Sequence, residues 1–281
     1  MSKIPNSKIE YIDDYIVTDI FSEKLCIPKT CTGIGEELLE FGVHEVECLP
    51  AYLSLVKKRH IVLEVGANIG YYTVLTGRNL NNTGYMYCIE PVSESCTALA
   101  KTIELNGYTN AKIYNLAIAD YVGEIEIDIC SGSNLTTAIA TMPDSMSEGA
   151  VYNLEQWETS KRSVKCTTLD RFVQSNCIGK IDMLRMDIEG FETKAIAGAH
   201  YVLEKLMKRG SCFFLEIHPV YHKYPEEEYK DMIEYIMSLG FVPYRDIRWH
   251  GKNLDCLPTI WEPEEMYQEG GFGYVFLVKE R

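Results

Sequence analysis

Short apolar runs alternate with longer amphipathic segments along most of this chain. Ile61–Val65 and Tyr85–Ile89 are mostly apolar, which is typical of strands buried on both faces of a parallel sheet. A helix-like spacing follows each run, from Tyr71 onward and over Ser93–Leu105, where Ser93 is expected to act as the N-cap. This order of elements predicts an α/β fold with a Rossmann-like, doubly wound and mostly parallel sheet.

The same alternation continues towards the carboxyl terminus. Val122–Ile129 alternates acidic residues with isoleucine, so it predicts an added strand with one solvated face. The remaining predicted elements are strands around Lys112–Tyr114, Val164–Thr168, Ile181–Met186, Cys212–Leu215, Phe241–Tyr244 and Tyr274–Val278, and a helix over Glu227–Leu239. The strand around Lys112–Tyr114 completes the first half of the doubly wound sheet, and the elements from Val164 onward supply the second half.

Residues 1–60 precede this sheet and are expected to form a helical extension. Two short helices are predicted between Gly35 and Leu55, with an interruption at Pro50. The α/β domain then spans residues 61–281. Residues 131–160 lack periodicity and are expected to form a lid loop, while residues 245–271, which include Trp249 and Trp261, form an insertion before the last strand.

Composition places the chain among soluble globular proteins and narrows the choice of partners. Of its 281 residues, 46% are hydrophobic and 24% are charged. The formal net charge of −14 disfavours nucleic acid and anionic membranes as partners. The ten cysteines show no C-x-x-C spacing, and no stretch is apolar enough for a signal core or a membrane span. These features predict a reduced, cytoplasmic protein.

A glycine-rich turn after the first of these strands carries the first candidate chemistry. Its order is E-x-G-x-N-x-G, whereas a pyrophosphate-binding turn reads G-x-G-x-x-G; its members are Glu64, Gly66, Asn68 and Gly70. Glu64 would repel a pyrophosphate but attract an ammonium group, so the turn predicts an amino-acid-bearing nucleoside such as S-adenosylmethionine. Backbone N–H groups from Tyr71 onward are expected to face this ligand. The alternative is a tight strand-to-helix connection that binds nothing.

Two further strand ends are expected to complete a nucleoside site. Glu90 follows the second strand about 20 residues beyond Gly70, where a carboxylate grips the ribose hydroxyls in this architecture. Asn115 to Ala117 end the third strand, where adenine is expected because ligands collect at the carboxyl ends of parallel strands. Alternatively, Glu90 caps a helix and Asn115 is a turn residue.

Four ionisable residues follow two of the later predicted strands, and these strands ought to be neighbours. Asp187, Glu189, Glu216 and His218 are therefore expected to gather at the rim of the pocket. His218 is the first candidate for a general base because imidazole titrates near neutral pH, with Asp187 and Glu189 as alternatives. A purely structural hydrogen bond is the other interpretation of His218. The four could also bind magnesium or manganese, but carboxylates are common at strand ends without metal, so no metal ligand is assigned.

The chain resembles class I S-adenosylmethionine-dependent methyltransferases and, more narrowly, the FkbM family. The motifs that carry the resemblance are Glu64-Val65-Gly66-Ala67-Asn68-Ile69-Gly70-Tyr71-Tyr72, Ile89-Glu90-Pro91, Asn115-Leu116-Ala117 with Gly123, Thr168-Leu169-Asp170, Arg185-Met186-Asp187-Ile188-Glu189-Gly190-Phe191-Glu192 and Glu216-Ile217-His218. The family usually has lysine where Arg185 stands. Residues 1–60 and the carboxyl-terminal insertion lie outside the shared core.

The resemblance implies S-adenosylmethionine as the cofactor and a hydroxyl of a sugar, lipid or other small natural product as the methyl acceptor. The expected partner is therefore a small-molecule or glycan acceptor. Glu90 would hold the ribose, and Asn115 to Ala117 would border the adenine. The residues expected to bind the cofactor are Glu64, Gly66, Asn68, Gly70, Tyr71, Glu90, Asn115, Ala117 and Asp187, and those expected to act in catalysis are His218, Asp187 and Glu189.

Two other classes of protein are also consistent with the sequence. A binding or sensor protein would keep the cofactor fold without turnover, because Glu64 and Glu90 argue for binding and not for catalysis. A nicotinamide-dependent oxidoreductase is disfavoured by Glu64 and by Asn68 in place of the middle glycine. Cofactor binding without product would indicate the first class, and thermal stabilisation by NAD would indicate the second.

Overall fold

The computed structural model describes residues 9–31, 34–130, 159–218, 226–250, 253–257 and 272–280. The strands in these ranges are β1 (Glu10–Ile12), β2 (Tyr15–Ile20), β3 (Glu23–Pro28), β4 (Ile61–Val65), β5 (Tyr85–Ile89), β6 (Ala111–Tyr114), β7 (Ala117–Ile118), β8 (Gly123–Cys130), β9 (Thr159–Thr167), β10 (Ile181–Met186), β11 (Met207–Ile217), β12 (Phe241–His250), β13 (Asn253–Leu257) and β14 (Phe272–Lys279). The helices are α1 (Ile34–Phe41), α2 (Leu49–Leu55), α3 (Tyr71–Leu80), α4 (Ser93–Leu105), α5 (Leu169–Ser175), α6 (Glu192–Ala197) and α7 (Glu226–Ser238), with a π-helical turn at Val202–Leu206. None of the described helices combines the length and the apolar character that crossing a membrane requires.

The main sheet of the described residues has eight strands in the order β13-β12-β14-β11-β10-β4-β5-β6. Five of them, from β11 to β6, run parallel, with Val62 opposite Met183 on one side and Met86 on the other. β14, β12 and β13 extend the sheet in antiparallel fashion. The strand order reverses at β4, and ligands of doubly wound sheets bind at the carboxyl ends of the strands beside such a point.

Apolar side chains cover both faces of this sheet, which explains the nearly uninterrupted apolar runs of its strands. Val62 belongs to a buried cluster with Tyr52 and Val74. Leu63, the next residue of the same strand, belongs to a second buried cluster with Phe172 and Tyr229. Successive side chains of a strand point to opposite faces, so β4 contributes to both halves of the core.

The amino-terminal extension contains the two predicted helices, α1 and α2, but it begins with an antiparallel sheet of β1, β2 and β3 that the sequence analysis did not predict. Pro50 lies in the first turn of α2, so it starts this helix rather than interrupting one. Two side chains near the carboxyl-terminal end of α4 accept hydrogen bonds from the backbone of β3. Thr102 accepts the backbone N–H of Cys26 at 3.0 Å, and Asn106 accepts that of Lys24 at 2.7 Å. These contacts are distant in sequence, so no local pattern reveals them.

The bounds of β4, β5, β10 and α4 are those that the sequence predicts. The N-cap of α4, however, is Val92 in an extended conformation, and not Ser93. Ser93 is the first helical residue, and its hydroxyl donates to the carboxylate of Glu94 at 2.8 Å instead of capping the backbone. β11 begins at Met207, earlier than predicted, and the strand predicted from Phe241 continues to His250.

The strand predicted over Val122–Ile129 belongs to a small separate sheet in the order β7-β9-β8. β8 pairs with β9 in antiparallel fashion, and β7 pairs with β9 in parallel, with Ala117 opposite Cys166. Of the predicted lid, residues 131–158 lie outside the described residues. Of the predicted insertion, β12 and β13 form an antiparallel pair, while residues 251–252 and 258–271, which include Trp261, lie outside the described residues.

Candidate functional site

The turn between β4 and α3 takes the backbone through conformations that favour glycine. Gly66 has a φ of +85°, and a Cβ at this position would lie 1.7 Å from the carbonyl oxygen of Asp187. Gly70, the N-cap of α3, has a φ of +98°, and a Cβ there would lie 2.5 Å from Leu99 Cδ1. Asn68 has a φ of +49°, which asparagine adopts more readily than most residues. The two glycines of this motif are therefore required because a side chain at either position would collide with its neighbours.

Glu90 fixes this turn from the end of β5. Its carboxylate accepts the backbone N–H groups of Asn68 and Val92, both at 2.8 Å. Because Val92 is the N-cap of α4, Glu90 also binds the backbone at the start of that helix. Burial raises the pKa of Glu90 to about 7, although these N–H groups act in the opposite direction. Asn115 donates its amide to the carbonyl oxygens of Glu90 at 3.0 Å and Pro91 at 2.8 Å. The structure thus brings together Asn68, Glu90 and Asn115, which the sequence analysis assigned to one site.

Glu64 is buried in β4, and only one of its carboxylate oxygens has a hydrogen-bond partner among the described residues. Oε2 accepts the hydroxyl of Thr73 at 2.7 Å. Oε1 has no hydrogen-bond partner among the described residues and lies 3.9 Å from Arg185 Nη1. Burial raises the pKa of Glu64 to about 7, and Arg185 acts in the opposite direction. Leaving a buried acceptor unpaired costs about 1–3 kcal/mol, which is consistent with a site that receives a ligand donor.

Arg185 connects the turn to Asp187, a role that the sequence analysis did not assign. Its Nη1 donates to the Gly66 carbonyl at 2.9 Å, and its Nη2 donates to Asp187 Oδ2 at 2.7 Å. The guanidinium carbon lies 4.1 Å from the ring centroid of Tyr72. The FkbM family, which the chain resembles, usually has lysine at this position. A lysine lacks the planar guanidinium that makes both contacts at once. This departure from the family pattern was the signal available in the sequence.

The side chain of Tyr71 is directed to the amino-terminal extension. Its hydroxyl donates to the carbonyl oxygen of His44 at 2.9 Å and accepts the backbone N–H of His44 at 3.2 Å. The next residue, Tyr72, donates its hydroxyl to the buried carboxylate of Glu45. A cofactor contact of Tyr71 would therefore come from its backbone and not from its ring.

A small apolar cleft lies beside Gly66, at the carboxyl ends of β4 and β5. Ala117, which was expected to border the adenine, lines this cleft, whereas Asn115 is exposed. Other residues of the lining are Val65, Ile89, Pro91, Leu116, Ile188 and Phe191. Apolar walls with few polar groups are typical of small-molecule and cofactor sites.

Four carboxylates surround His218 at the ends of β10 and β11, and we call these five residues the His218 cluster. Nδ1 of His218 lies 3.0 Å from Glu192 Oε1. Nε2 lies 3.1 Å from Glu216 Oε1, 3.3 Å from Glu189 Oε2 and 4.0 Å from Asp187 Oδ1. The parallel pairing of β10 with β11 brings Asp187, Glu189, Glu216 and His218 to one edge of the sheet, as expected from the sequence, and Glu192 joins them from the start of α6.

Burial differs among the members of the His218 cluster. The side chains of Glu192, Glu216 and His218 are at most 6% exposed, whereas those of Asp187 and Glu189 are each 20% exposed. Burial lowers the pKa of His218, but the neighbouring carboxylates outweigh this effect, so its pKa stands well above the usual value. Burial and the charge of Asp187 raise the pKa of Glu216 well above its usual value. The carboxylates of the cluster therefore favour the protonated form of His218.

Glu192 is the member of the cluster that the sequence analysis missed. It is fully buried at the start of α6, and its Oε1 accepts the backbone N–H of Gly190 at 2.9 Å as well as facing His218. The D-x-E-G-x-E run contains this residue as its third acidic position. That repetition of acidic residues was the available signal.

A family model described as the methyltransferase FkbM domain matches residues 64–243, a span that contains the turn, Glu90 and the whole His218 cluster. None of the curated proteins matches the chain.

Solved structures similar to this one include two methyltransferases and one pre-rRNA processing protein. Methyltransferase FkbM from Methylobacillus flagellatus KT is 14% identical with a TM-score of 0.45, and the match covers 80% of this chain but only 47% of that protein's length. An S-adenosylmethionine-dependent O-methyltransferase from Thermotoga maritima is 10% identical with a TM-score of 0.44, over 98% of this chain and 86% of that one. A fibrillarin pre-rRNA processing protein from Methanococcus jannaschii is 12% identical with a TM-score of 0.43, over 99% of this chain and 100% of that one.

Proposed function

Because this chain belongs to the family of FkbM methyltransferase domains, we propose that it transfers a methyl group from S-adenosylmethionine to a hydroxyl of a small-molecule or glycan acceptor. One observation carries this proposal. Arg185 binds the carbonyl of Gly66 and the carboxylate of Asp187 at once, so the turn and the His218 cluster form one connected unit. A turn suited to the cofactor and carboxylates that can receive a proton thus lie at the same edge of the sheet.

The residues around the turn fit S-adenosylmethionine. Glu64 Oε1, which has no hydrogen-bond partner among the described residues, suits an ammonium donor. Glu90 retains lone pairs beyond those that accept the N–H groups of Asn68 and Val92, and these suit ribose hydroxyls. The apolar cleft that Ala117 lines suits the adenine. When bound, this cofactor supplies a methyl group that its sulfonium has already activated.

The chain's own residues then have to orient the acceptor hydroxyl and receive its proton. His218 is buried, and both of its ring nitrogens face carboxylates of the cluster. Asp187 and Glu189 retain more exposure, so an acceptor reaches them first. Because Asp187 Oδ2 already accepts from Arg185, we assign the proton to Glu189 and assign to His218 the orientation of the surrounding carboxylates.

A small-molecule or glycan acceptor agrees with the charge of the protein and of the site. The chain carries a formal net charge of −14, and the His218 cluster adds four carboxylates at the place where the acceptor has to bind. A phosphate backbone would be repelled there, whereas a neutral polyol would not.

Isothermal titration of the full chain with S-adenosylmethionine, alongside the Glu90→Ala variant, tests the cofactor assignment. We expect the variant to bind at least tenfold more weakly, a difference of about 1.4 kcal/mol, because it loses the ribose acceptor and the anchor of the turn. Glu104→Ala, an exposed position on α4, is the matched control and should bind like the wild type. Equal affinity of all three proteins would remove Glu90 from the site.

Transfer of a labelled methyl group to a panel of sugars, lipids and small natural products with free hydroxyls tests the reaction. A methylated product from any of these compounds supports the proposal, provided that the product does not form in a control without enzyme. Cofactor binding without product across the panel would favour a binding or sensor protein with the same fold. Failure of a folded sample, freed of carried-over cofactor, to bind S-adenosylmethionine would contradict the methyltransferase assignment itself.

A further inference from the structure

We propose that Asp187, Glu216 and His218 bind one divalent metal ion of the manganese or magnesium type, and that this ion holds the acceptor hydroxyl. The role of the ion rests on the proposed function, whereas its binding can be measured without any turnover. Carboxylates at strand ends are common without a metal ion, so the sequence alone assigns no metal ligand. The geometry of the His218 cluster gives the reasons to revise that expectation.

The three residues are spaced as ligands of one ion. Each offers a ligand atom, and these atoms lie within 4.8 Å of one another. Nε2 of His218 is 3.1 Å from Glu216 Oε1 and 4.0 Å from Asp187 Oδ1. Two ligand atoms that each lie about 2.0–2.2 Å from the same ion can be separated by up to roughly twice that distance, a range that includes both of these separations. Because the residues follow paired parallel strands, rigid elements and not a long loop set these distances.

Two buried carboxylate oxygens in this group have no hydrogen-bond partner in the part of the chain that the structure describes. The side chain of Glu216 is only 6% exposed, and its Oε2 has no hydrogen-bond partner within the described ranges. Asp187 Oδ1, the oxygen that faces His218 Nε2, also has none in that part of the chain. Each such oxygen costs about 1–3 kcal/mol, and the crowded carboxylates repel one another. A divalent cation between them would offset both costs.

Hydrogen bonds hold the far side of two of the proposed ligands. His218 donates from Nδ1 to Glu192 Oε1 at 3.0 Å, which leaves Nε2 directed to Asp187 and Glu216. Asp187 accepts from Arg185 on Oδ2 at 2.7 Å, which leaves Oδ1 directed to His218. Metal-binding histidines in proteins are oriented in this way, by a carboxylate on the other ring nitrogen. The cluster therefore has the outer hydrogen bonds of a metal site as well as its ligands.

The donor set points to the class of ion and to the class of acceptor. Two carboxylates and one imidazole, with no thiolate in the group, favour a hard or borderline cation such as Mg²⁺ or Mn²⁺. Three protein ligands leave positions open in an octahedral shell. An acceptor with two adjacent oxygens, such as a vicinal diol of a sugar, would fill such positions. The ion would lower the pKa of the bound hydroxyl, whose proton passes to Glu189, 3.3 Å from His218 Nε2.

Titration of the chelator-treated full chain with manganese chloride, without cofactor or acceptor, tests the site directly. Calorimetry and the electron paramagnetic resonance signal of free Mn²⁺ report the bound fraction. We expect one ion per chain, and at least tenfold weaker binding by Glu216→Gln and by His218→Gln. The exposed Glu104→Gln variant is the matched control and should bind Mn²⁺ like the wild type. Equal affinity of Glu216→Gln and wild type would overturn the proposal.

A second measurement uses only the wild type, because substitutions in a buried cluster can disturb folding. Mn²⁺ should raise the melting temperature in a concentration-dependent manner, and sodium chloride of the same ionic strength should not. Absence of both Mn²⁺ binding and stabilisation in a folded sample would also overturn the site. Methyl transfer that persists in excess chelator would contradict the ion's role and leave the proposed function intact. Metal binding by a chain that fails to bind S-adenosylmethionine would instead contradict the proposed function alone.

Discussion

Arg185 illustrates at the residue scale how one buried side chain supports several others. It is 4% exposed and lies 2.7 Å from Asp187 and 3.9 Å from Glu64. Its guanidinium also lies over the ring of Tyr72. Removing one partner of such a group leaves the others as uncompensated buried charges, so the loss exceeds what the ion pair itself contributes.

Replacement of Arg185 by methionine should therefore lower the free energy of unfolding by about 3–5 kcal/mol. Arg185→Lys keeps the charge but loses one of the two hydrogen bonds, so its cost should be smaller, about 1–2 kcal/mol. Arg162→Met is the matched control, because Arg162 and its partner Glu94 are 38% and 63% exposed, and it should cost less than about 1 kcal/mol. Urea denaturation measures all three. Equal losses for Arg185→Met and Arg162→Met would contradict the importance of burial here.

At the scale of elements, the connection between α1 and α2 joins the extension to the site. His44 Nε2 lies 2.9 Å from Glu45 Oε1, and its Nδ1 lies 2.7 Å from Glu37 Oε2. Glu45 in turn accepts the hydroxyl of Tyr72, whose ring contacts Arg185. A short segment outside the shared family core thus reaches the charged centre of the molecule.

The charge of Glu45 gives this connection a predictable dependence on pH. Burial raises its pKa, but His44 and Arg185 outweigh burial and bring the pKa to about 2. A carboxyl group with a lowered folded-state pKa stabilises the fold above its unfolded-state value, and this contribution is lost as pH falls from about 4.5 towards 2. We expect the free energy of unfolding of the wild type to exceed that of Glu45→Gln by on the order of 3 kcal/mol at pH 6. The difference should become progressively smaller below pH 4.5.

Free energies of unfolding in urea, measured for both proteins from pH 6 to pH 3, test this expectation. Tyr72→Phe serves as a comparison, because it removes the hydroxyl that Glu45 accepts and leaves the carboxylate and its neighbouring positive charges. A difference between wild type and Glu45→Gln that does not change with pH would show that the ionised state of Glu45 contributes nothing.

On the scale of the whole molecule, the extension and the main sheet share one apolar core. Leu38 and Tyr52 of the extension belong to the same buried cluster as Val62, Val74 and Phe214. The ring of Tyr52 packs edge-on against Phe214 at 5.8 Å. A core common to two segments unfolds as one unit, so the extension should not open separately from the sheet.

Native-state hydrogen exchange measures this cooperativity. Backbone amides of β2 and β3 should open with free energies within about 1–2 kcal/mol of those of β4 and β5. Amides of β8, which lies in the small separate sheet and buries only Ile127 among its described side chains, should open at lower free energy and serve as the internal comparison. Exchange of β2 and β3 at the level of β8 would show that the extension unfolds on its own.

Features with a local pattern could be predicted from the sequence, and features that depend on distant partners could not. The apolar run Ile61–Val65 and the turn at Gly66 follow from side-chain period and backbone sterics, so both are where the sequence predicts them. The strands β1 to β3 are short, and their edge is held by Thr102 and Asn106, more than 70 residues away. Glu192 is visible in the local D-x-E-G-x-E run, but its partner His218 is 26 positions further along, and no local pattern pairs the two residues.

The two hydrogen bonds donated by Arg185 have a thermodynamic consequence. A ligand at the Gly66 turn and a ligand at Asp187 would act on the same guanidinium, from its two nitrogens. If one ligand changes the affinity for the other by some factor, linkage requires the reverse effect to have the same size. Cofactor and acceptor would then bind with heterotropic cooperativity, and Arg185 is the residue through which this coupling would act.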